Sequence, residues 1–223
     1  MPKKIKKKVV IVRKHPRHVK VSAKNPEGIT IVDQHLRILN SLTSDEILSV
    51  FKKYDKAKLV YPTRNNGRKE FPSEDLFDEI IAVWTDYFSK QYPSSTPLDP
   101  DIIKALLATE SGFRIDPKPT KLAVGIAQIT RETLKILQDP KGEVKDFIFK
   151  KIRIMDLKNP DIAIPMAVRW LFRKRELAKM KLKREPSVEE IILEYKGLLK
   201  SSSTYKESAL TKFRGFYGKL KSK

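Results

Sequence analysis

The stretch Leu98-Asp99-Pro100-Asp101-Ile102-Ile103-Lys104-Ala105-Leu106-Leu107-Ala108-Thr109-Glu110-Ser111-Gly112-Phe113 decides how this chain is read. Asp99 is a helix-capping residue, and Pro100 suits the first helical position, where a missing N–H breaks no bond. Ile102, Ile103, Leu106 and Leu107 recur at the spacing of one helix face, and Gly112 supplies the residue that stops a helix. One more turn along that face reaches positions 110 and 111, which hold Glu110 and Ser111. A carboxylate therefore stands where a core residue is expected, at a helix C-terminus. Partial burial and the negative end of the helix dipole both oppose ionisation there. A carboxylic acid held protonated can hand its proton to a leaving group, the task of a glycosidase acid. On periodicity alone the alternative is a helix-end glutamate that turns to solvent or pairs with one of the many Lys or Arg.

The pattern on either side is also helical. Ser73-Glu74-Asp75 precedes Leu76, Phe77, Ile80, Ile81, Trp84 and Phe88, an amphipathic stripe with a Ser cap. Further helices fit 130–138, 163–182, 188–199 and 204–220. Asn159-Pro160 and Pro165 bracket the start of the long one, and Ser187 with Glu190 makes a capping box for the next. Residues 59–72, with Pro62, Asn65-Asn66-Gly67 and Pro72, read as a loop. The expected fold class is all-α, with the core in 70–223 and a helical and loop segment at 33–69, its helix within 33–56. Residues 1–32 differ: the β-branched patches Val9–Val12, Val19–Val21 and Ile29–Val32 are separated by His-Pro-Arg and by the turn sequence Asn25-Pro26-Glu27-Gly28. They form either a small β element or a disordered basic arm.

Composition limits the chemistry. The chain has 223 residues, enough for one substantial domain, and no cysteine, which excludes disulfides, thiolate metal sites and a cysteine nucleophile. All three histidines, His15, His18 and His35, fall in the first 35 residues, so neither a His metal site nor a Ser-His-Asp triad is expected, and no cofactor is implied. The 47 Lys+Arg against 27 Asp+Glu give a net charge of +20, which favours anionic partners: nucleic acid, acidic lipid or a wall polymer. Ten of the basic residues lie in 1–24, and seven more in 173–184 form a candidate wall-binding face. No stretch approaches the ~20 apolar residues of a membrane span. The apolar run Val9–Val12 stops short of the ~7–15 residues of an export signal, so no Sec leader is read here.

Residues 98–130 resemble the catalytic segment of the soluble lytic transglycosylase family. Glu110-Ser111-Gly112-Phe113 matches the family's Glu-Ser motif, and Gly125-Ile126-Ala127-Gln128, with Gln128 18 residues after Glu110, matches its Gly-x-x-Gln motif. Ala123-Val124 before that glycine fits as well. Downstream, Asn159-Pro160 leads into a helix with Ala167, Trp170 and Leu171. Glu194-Tyr195-Lys196-Gly197 stands where the family has Ala-Tyr-Asn-Ala-Gly, so Tyr195 matches and Lys196 replaces the Asn. The resemblance covers about 98–200.

It implies a lysozyme-like fold and peptidoglycan glycan strands as partner, cut at the β-1,4 bond between N-acetylmuramic acid and N-acetylglucosamine. Glu110 would act as general acid and then as base, closing a 1,6-anhydro ring. Ser111 would position the acetamido group, Gln128 would hydrogen-bond the sugar, and Tyr195 would orient the reacting centre. A hydrolytic muramidase on the same fold, with Asp116, Glu132 or Asp139 as second carboxylate, is the enzymatic alternative. A basic nucleic-acid-binding protein, using the aromatic residues Tyr205, Phe213, Phe216 and Tyr217, is the alternative from another class. The enzyme would act on the bacterial cell wall, in the periplasm or a target-cell envelope, as a phage-encoded protein, an injected effector or a chain without its leader. Residues 1–97 would then serve a delivery machine or a regulatory protein.

Overall fold

The computed structural model describes residues 8–12, 15–18, 29–32, 35–64, 71–94, 96–117 and 123–222. Four strands come first: β1 (Lys8–Val12), β2 (His15–His18), β3 (Ile29–Val32) and β4 (His35–Leu42). The rest is mostly helix: α1 (Ser44–Lys53), α2 (Asp78–Gln91), α3 (Pro100–Ser111), α4 (Arg131–Gln138), α5 (Pro160–Leu182), α6 (Val188–Tyr195) and α7 (Ser203–Lys221). Between α3 and α4 lies the short hairpin β5 (Ala123–Val124) and β6 (Ile129–Thr130), and β7 (Phe147–Phe149) precedes α5. The fold is thus predominantly α, as expected, and the β-branched patches at 9–12 and 29–32 are strands. The patch at 19–21 and the turn sequence at 25–28 lie outside the described residues.

The core is built on α2, α3 and α5. Trp84, Phe88, Ile103, Leu106, Leu107, Val168 and Leu171 are all fully shielded from solvent, each such side chain contributing roughly 1.5–3 kcal/mol. α3 is buried from Pro100 to Ala108, on every face. Its polar members are therefore paired: the Lys104 ammonium donates to Asp75 (2.6 Å) and to the Thr63 carbonyl (2.9 Å), with Asp78 2.7 Å away. Asp101 accepts from the backbone and hydroxyl of Thr63 and from Lys221. These bonds hold the 54–64 segment and the end of α7 against α3.

Several expectations are corrected. Residues 35–42 form a strand, where a helical pattern had been read: β4 pairs antiparallel with β1 and parallel with β7, and this pairing on both sides settles its conformation. Ser73 caps no helix through its side chain; a 3-10 turn, Glu74–Phe77, intervenes, and α2 starts at Asp78. α5 starts at Pro160 with Asn159 as its cap, and Pro165 lies inside it. α6 ends at Tyr195, short of 199, because Gly197 turns left-handed (φ 73°). The Ser187–Glu190 capping box is present.

Candidate active site

Each end of α3 is held by local chemistry. Asp99 accepts from the Asp101 N–H (2.9 Å), Pro100 follows, and at the far end Gly112 (φ 60°) returns its N–H to the Ala108 carbonyl. Phe113 is left-handed too (φ 59°), a conformation that costs a non-glycine residue of order 1 kcal/mol. Burial offsets that cost. The Phe113 ring is 2% exposed and packs edge-on against Phe71 and parallel to Phe77, with Phe216 of α7 at 6.1 Å. The Glu-Ser-Gly-Phe element is thus a helix stop pinned by an aromatic anchor, and it fixes where Glu110 emerges.

Glu110 is mostly shielded, its side chain 19% exposed, and it is not alone. Nζ of Lys196 donates to Oε1 at 2.7 Å, so the resting site holds a carboxylate–ammonium ion pair. Lys196 is the C-cap of α6, a position that suits a cation. Tyr195 precedes it, half-buried against the core. Burial first, and the Glu110 charge second, push its phenol well above the ordinary 10, so Tyr195 stays a neutral hydroxyl. Ser111 is 2% exposed and donates its hydroxyl to the Leu107 carbonyl at 3.3 Å.

Gln128 sits on the β5–β6 turn in a left-handed conformation (φ 47°), and its amide donates to the Gly125 carbonyl at 2.9 Å. Gly125 (φ 75°) has no alternative: a Cβ there would lie 1.9 Å from the Leu157 carbonyl oxygen. The Gly-x-x-Gln element is a tight turn docked on the 3-10 segment Ile154–Lys158.

A groove of about 790 Å³ opens beside the helix end. One wall is residues 108–111 of α3 with Gly112 and Arg114; the other is α7, through Thr211, Lys212, Gly215, Phe216 and Lys219. Glu110 and Ser111 line it and Tyr195 lies close behind Glu110, whereas Gln128 is not among its lining residues. Among the described residues, Glu110 is the one carboxylate in that lining. Asp116 pairs with Lys158 (2.9 Å), Asp139 accepts from the Lys141 N–H, and Glu132 is solvent-exposed; none of the three lines the groove. Among the described residues no group of His, Asp or Glu could hold a metal ion, and no helix is long and apolar enough to cross a membrane.

Most of the 173–184 run has partners within the molecule. Arg173 pairs with Glu143 and Glu176, Lys174 lies over the Trp170 ring, and Arg175 is buried on the Thr96 carbonyl. Lys179, Lys181 and Arg184 pair with Glu185, Glu194 and Glu190. Lys183 is exposed, and Lys179, Lys181 and Arg184 keep partly exposed side chains beside their partners. Sequence reasoning missed two features of the site: the Lys196 partner, visible only as a departure from the family pattern, and the α7 wall, which carries no motif.

The body is predominantly helical and presents Glu110 at a helix end, inside a groove. The particular family follows from comparison: residues 88–184 match the family model described as the transglycosylase SLT domain. The match runs from the end of α2 through α5 and supports an SLT-like domain there. No curated protein matches the chain.

Proposed function

We propose that the protein is a lytic transglycosylase that cuts the β-1,4 bond between N-acetylmuramic acid and N-acetylglucosamine without adding water. One observation carries this reading: Glu110 is the single carboxylate lining the groove among the described residues, and it lies within the family match. Glu110 protonates the glycosidic oxygen, and the muramoyl N-acetyl group assists departure in place of a second carboxylate. The ionised Glu110 then takes the proton of the C6 hydroxyl as that oxygen closes on C1, giving a 1,6-anhydro end. Because Ser111 donates to Leu107, its oxygen is left to accept from the acetamido N–H. Tyr195, kept neutral, is a donor beside the reacting centre. Gln128, outside the groove lining, hydrogen-bonds the sugar farther along the glycan. The Lys196–Glu110 pair has to open before the acid step, since a carboxylate held in an ion pair donates no proton. The net charge of +20 draws the enzyme to the carboxylates of the wall, where it acts.

The test is digestion of purified sacculi by the wild type and Glu110→Gln, with mass spectrometry of the soluble products. Anhydro-muropeptides absent from the variant's digest are expected. Reducing-end products would instead assign hydrolysis, and salt-dependent nucleic-acid binding with no wall cleavage would place the protein in another class.

A further inference from the structure

Gly112 and Phe113 are consecutive left-handed residues directly after Glu110 and Ser111, with φ of 60° and 59°. Glycine takes that conformation freely; phenylalanine does not, so contacts from elsewhere in the chain have to hold it. Three rings do so. Phe77 lies parallel to Phe113, Phe71 meets its edge at 5.6 Å, and Phe216 of α7 tilts against it at 6.1 Å. Phe71 and Phe216 also meet each other edge-on, at 5.2 Å. The Phe71 ring covers Gly112 so closely that a Cβ there would stand 3.0 Å from it. None of these three rings belongs to the matched residues 88–184. Near the end of α7, Lys221 donates to Asp101 in the first turn of α3 (2.6 Å), so α7 is tied to both ends of the helix that carries Glu110.

We infer that Phe216 is a positioning residue for Glu110: with Phe71 it clamps the Gly112-Phe113 stop, and that stop fixes the direction in which the carboxylate leaves α3. This role rests on the glycan-cleaving reading above and gives α7 a part in the reaction. One carboxylate there serves two oxygens in turn, the glycosidic oxygen and the C6 hydroxyl, so an error in its place is felt in both proton transfers. Displacing a reacting group by about 1 Å costs on the order of 100-fold in rate. Phe216 has no proton to transfer; its effect passes through Phe71 and Phe113.

Phe216→Leu removes the ring, and Phe213→Leu is its control: Phe213 lies on the same helix, is also buried, and packs on Tyr217. Both variants lose a similar buried ring and should lower Tm alike, so kinetics are read well below both transitions. Phe216→Met, whose flexible chain refills the space, stands in if Phe216→Leu does not fold. On soluble glycan chains, kcat should fall about tenfold or more in Phe216→Leu with KM within about twofold, and should keep the wild-type value in Phe213→Leu. In a Phe113→Leu background the Phe216 change should cost nothing further, because the ring it supports is gone. A raised KM at unchanged kcat, which would make Phe216 a groove wall only, overturns the role. So does an equal loss of kcat in both single variants, or a full further loss in the Phe113→Leu background. Crystal structures of the two variants read the placement of Glu110 without substrate, and its carboxylate should move by about 1 Å in Phe216→Leu alone. That movement, in a protein whose wild type cleaves no glycan, keeps the positioning role and rejects the enzymatic function; an unmoved carboxylate overturns the role.

Discussion

Replacing Lys104 by Met should unfold a larger share of this protein than any surface change, and the size of the effect should depend on pH. Lys104 has no solvent exposure, and Asp78, 2.7 Å away, has a side chain only 8% exposed. At an effective dielectric of about 20, opposite charges at that separation attract by about 6 kcal/mol. Desolvation of the two ions removes most of this gain, but breaking the pair leaves Asp78 buried and uncompensated, which costs about 3–5 kcal/mol. Burial pushes the Asp78 carboxyl up from 3.8 to about 6, with Lys104 pulling the other way. Its folded value lies above its unfolded one. Its contribution is therefore fully present below about pH 4 and is lost as pH rises through about 6. Without Lys104 the carboxyl takes up a proton more readily still. The penalty should thus approach the full value at pH 7.5 and shrink to about 1–2 kcal/mol at pH 5, where neutral Asp78 needs no counter-charge. Urea unfolding followed by circular dichroism at both pH values measures it, with Lys104→Met/Asp78→Asn expected to recover most of the loss at pH 7.5. A penalty below about 1 kcal/mol at pH 7.5, or one equal at both pH values, would refute the reasoning.

Gly125→Ala forces a methyl to 1.9 Å from a carbonyl oxygen at a left-handed position, so the variant should lose more than about 3 kcal/mol or fail to fold, as read by the same unfolding curves. Lys196→Asn removes the ion pair that must open before proton donation; at about 1 kcal/mol for a partly exposed pair, sacculus cleavage should rise about fivefold. A fall to the level of Glu110→Gln would instead make Lys196 part of the chemistry. Arg175→Gln frees the Thr96 carbonyl and should cost about 1–3 kcal/mol in stability while leaving sedimentation with sacculi unchanged, because that guanidinium is occupied inside the protein. Reduced sedimentation at unchanged Tm would return the 173–184 run to the binding surface.

α3 was legible because everything that makes it is local: a capping Asp, a Pro at the first position, an apolar stripe and a stop glycine within sixteen residues. The anomaly of Glu110 on that stripe was legible for the same reason. Lys104 and Asp101 were not, since residues off the stripe read as solvent-facing, whereas α3 is covered on all sides and those polar groups answer to Asp75, Asp78, Thr63 and Lys221. The pairing of Lys196 with Glu110 joins positions 86 apart, beyond any periodicity. β4 misled because its apolar residues suit a helix as well as a strand, and only its partners, one of them more than a hundred residues away, select the extended form. The two-residue strands β5 and β6 are too short to leave an alternation; the left-handed Gly125 and Gln128 shape that turn.

The middle place of β4 bears on how this chain can be cut. Its last residues, 40–42, pair with Phe147, Ile148 and Phe149, all three of which are buried, and the Leu42 carbonyl also receives the Lys150 N–H. Leu42 and Ile47 lie in the same core as the helices that hold Glu110. Trimming the chain back to the matched region would strip β7 of its one strand partner among the described residues. An apolar ribbon with a bare hydrogen-bonding edge recruits other copies of itself, so such a fragment would assemble into aggregates. A fragment that keeps β7 paired therefore has to keep residues 40–42, this short splice of strand.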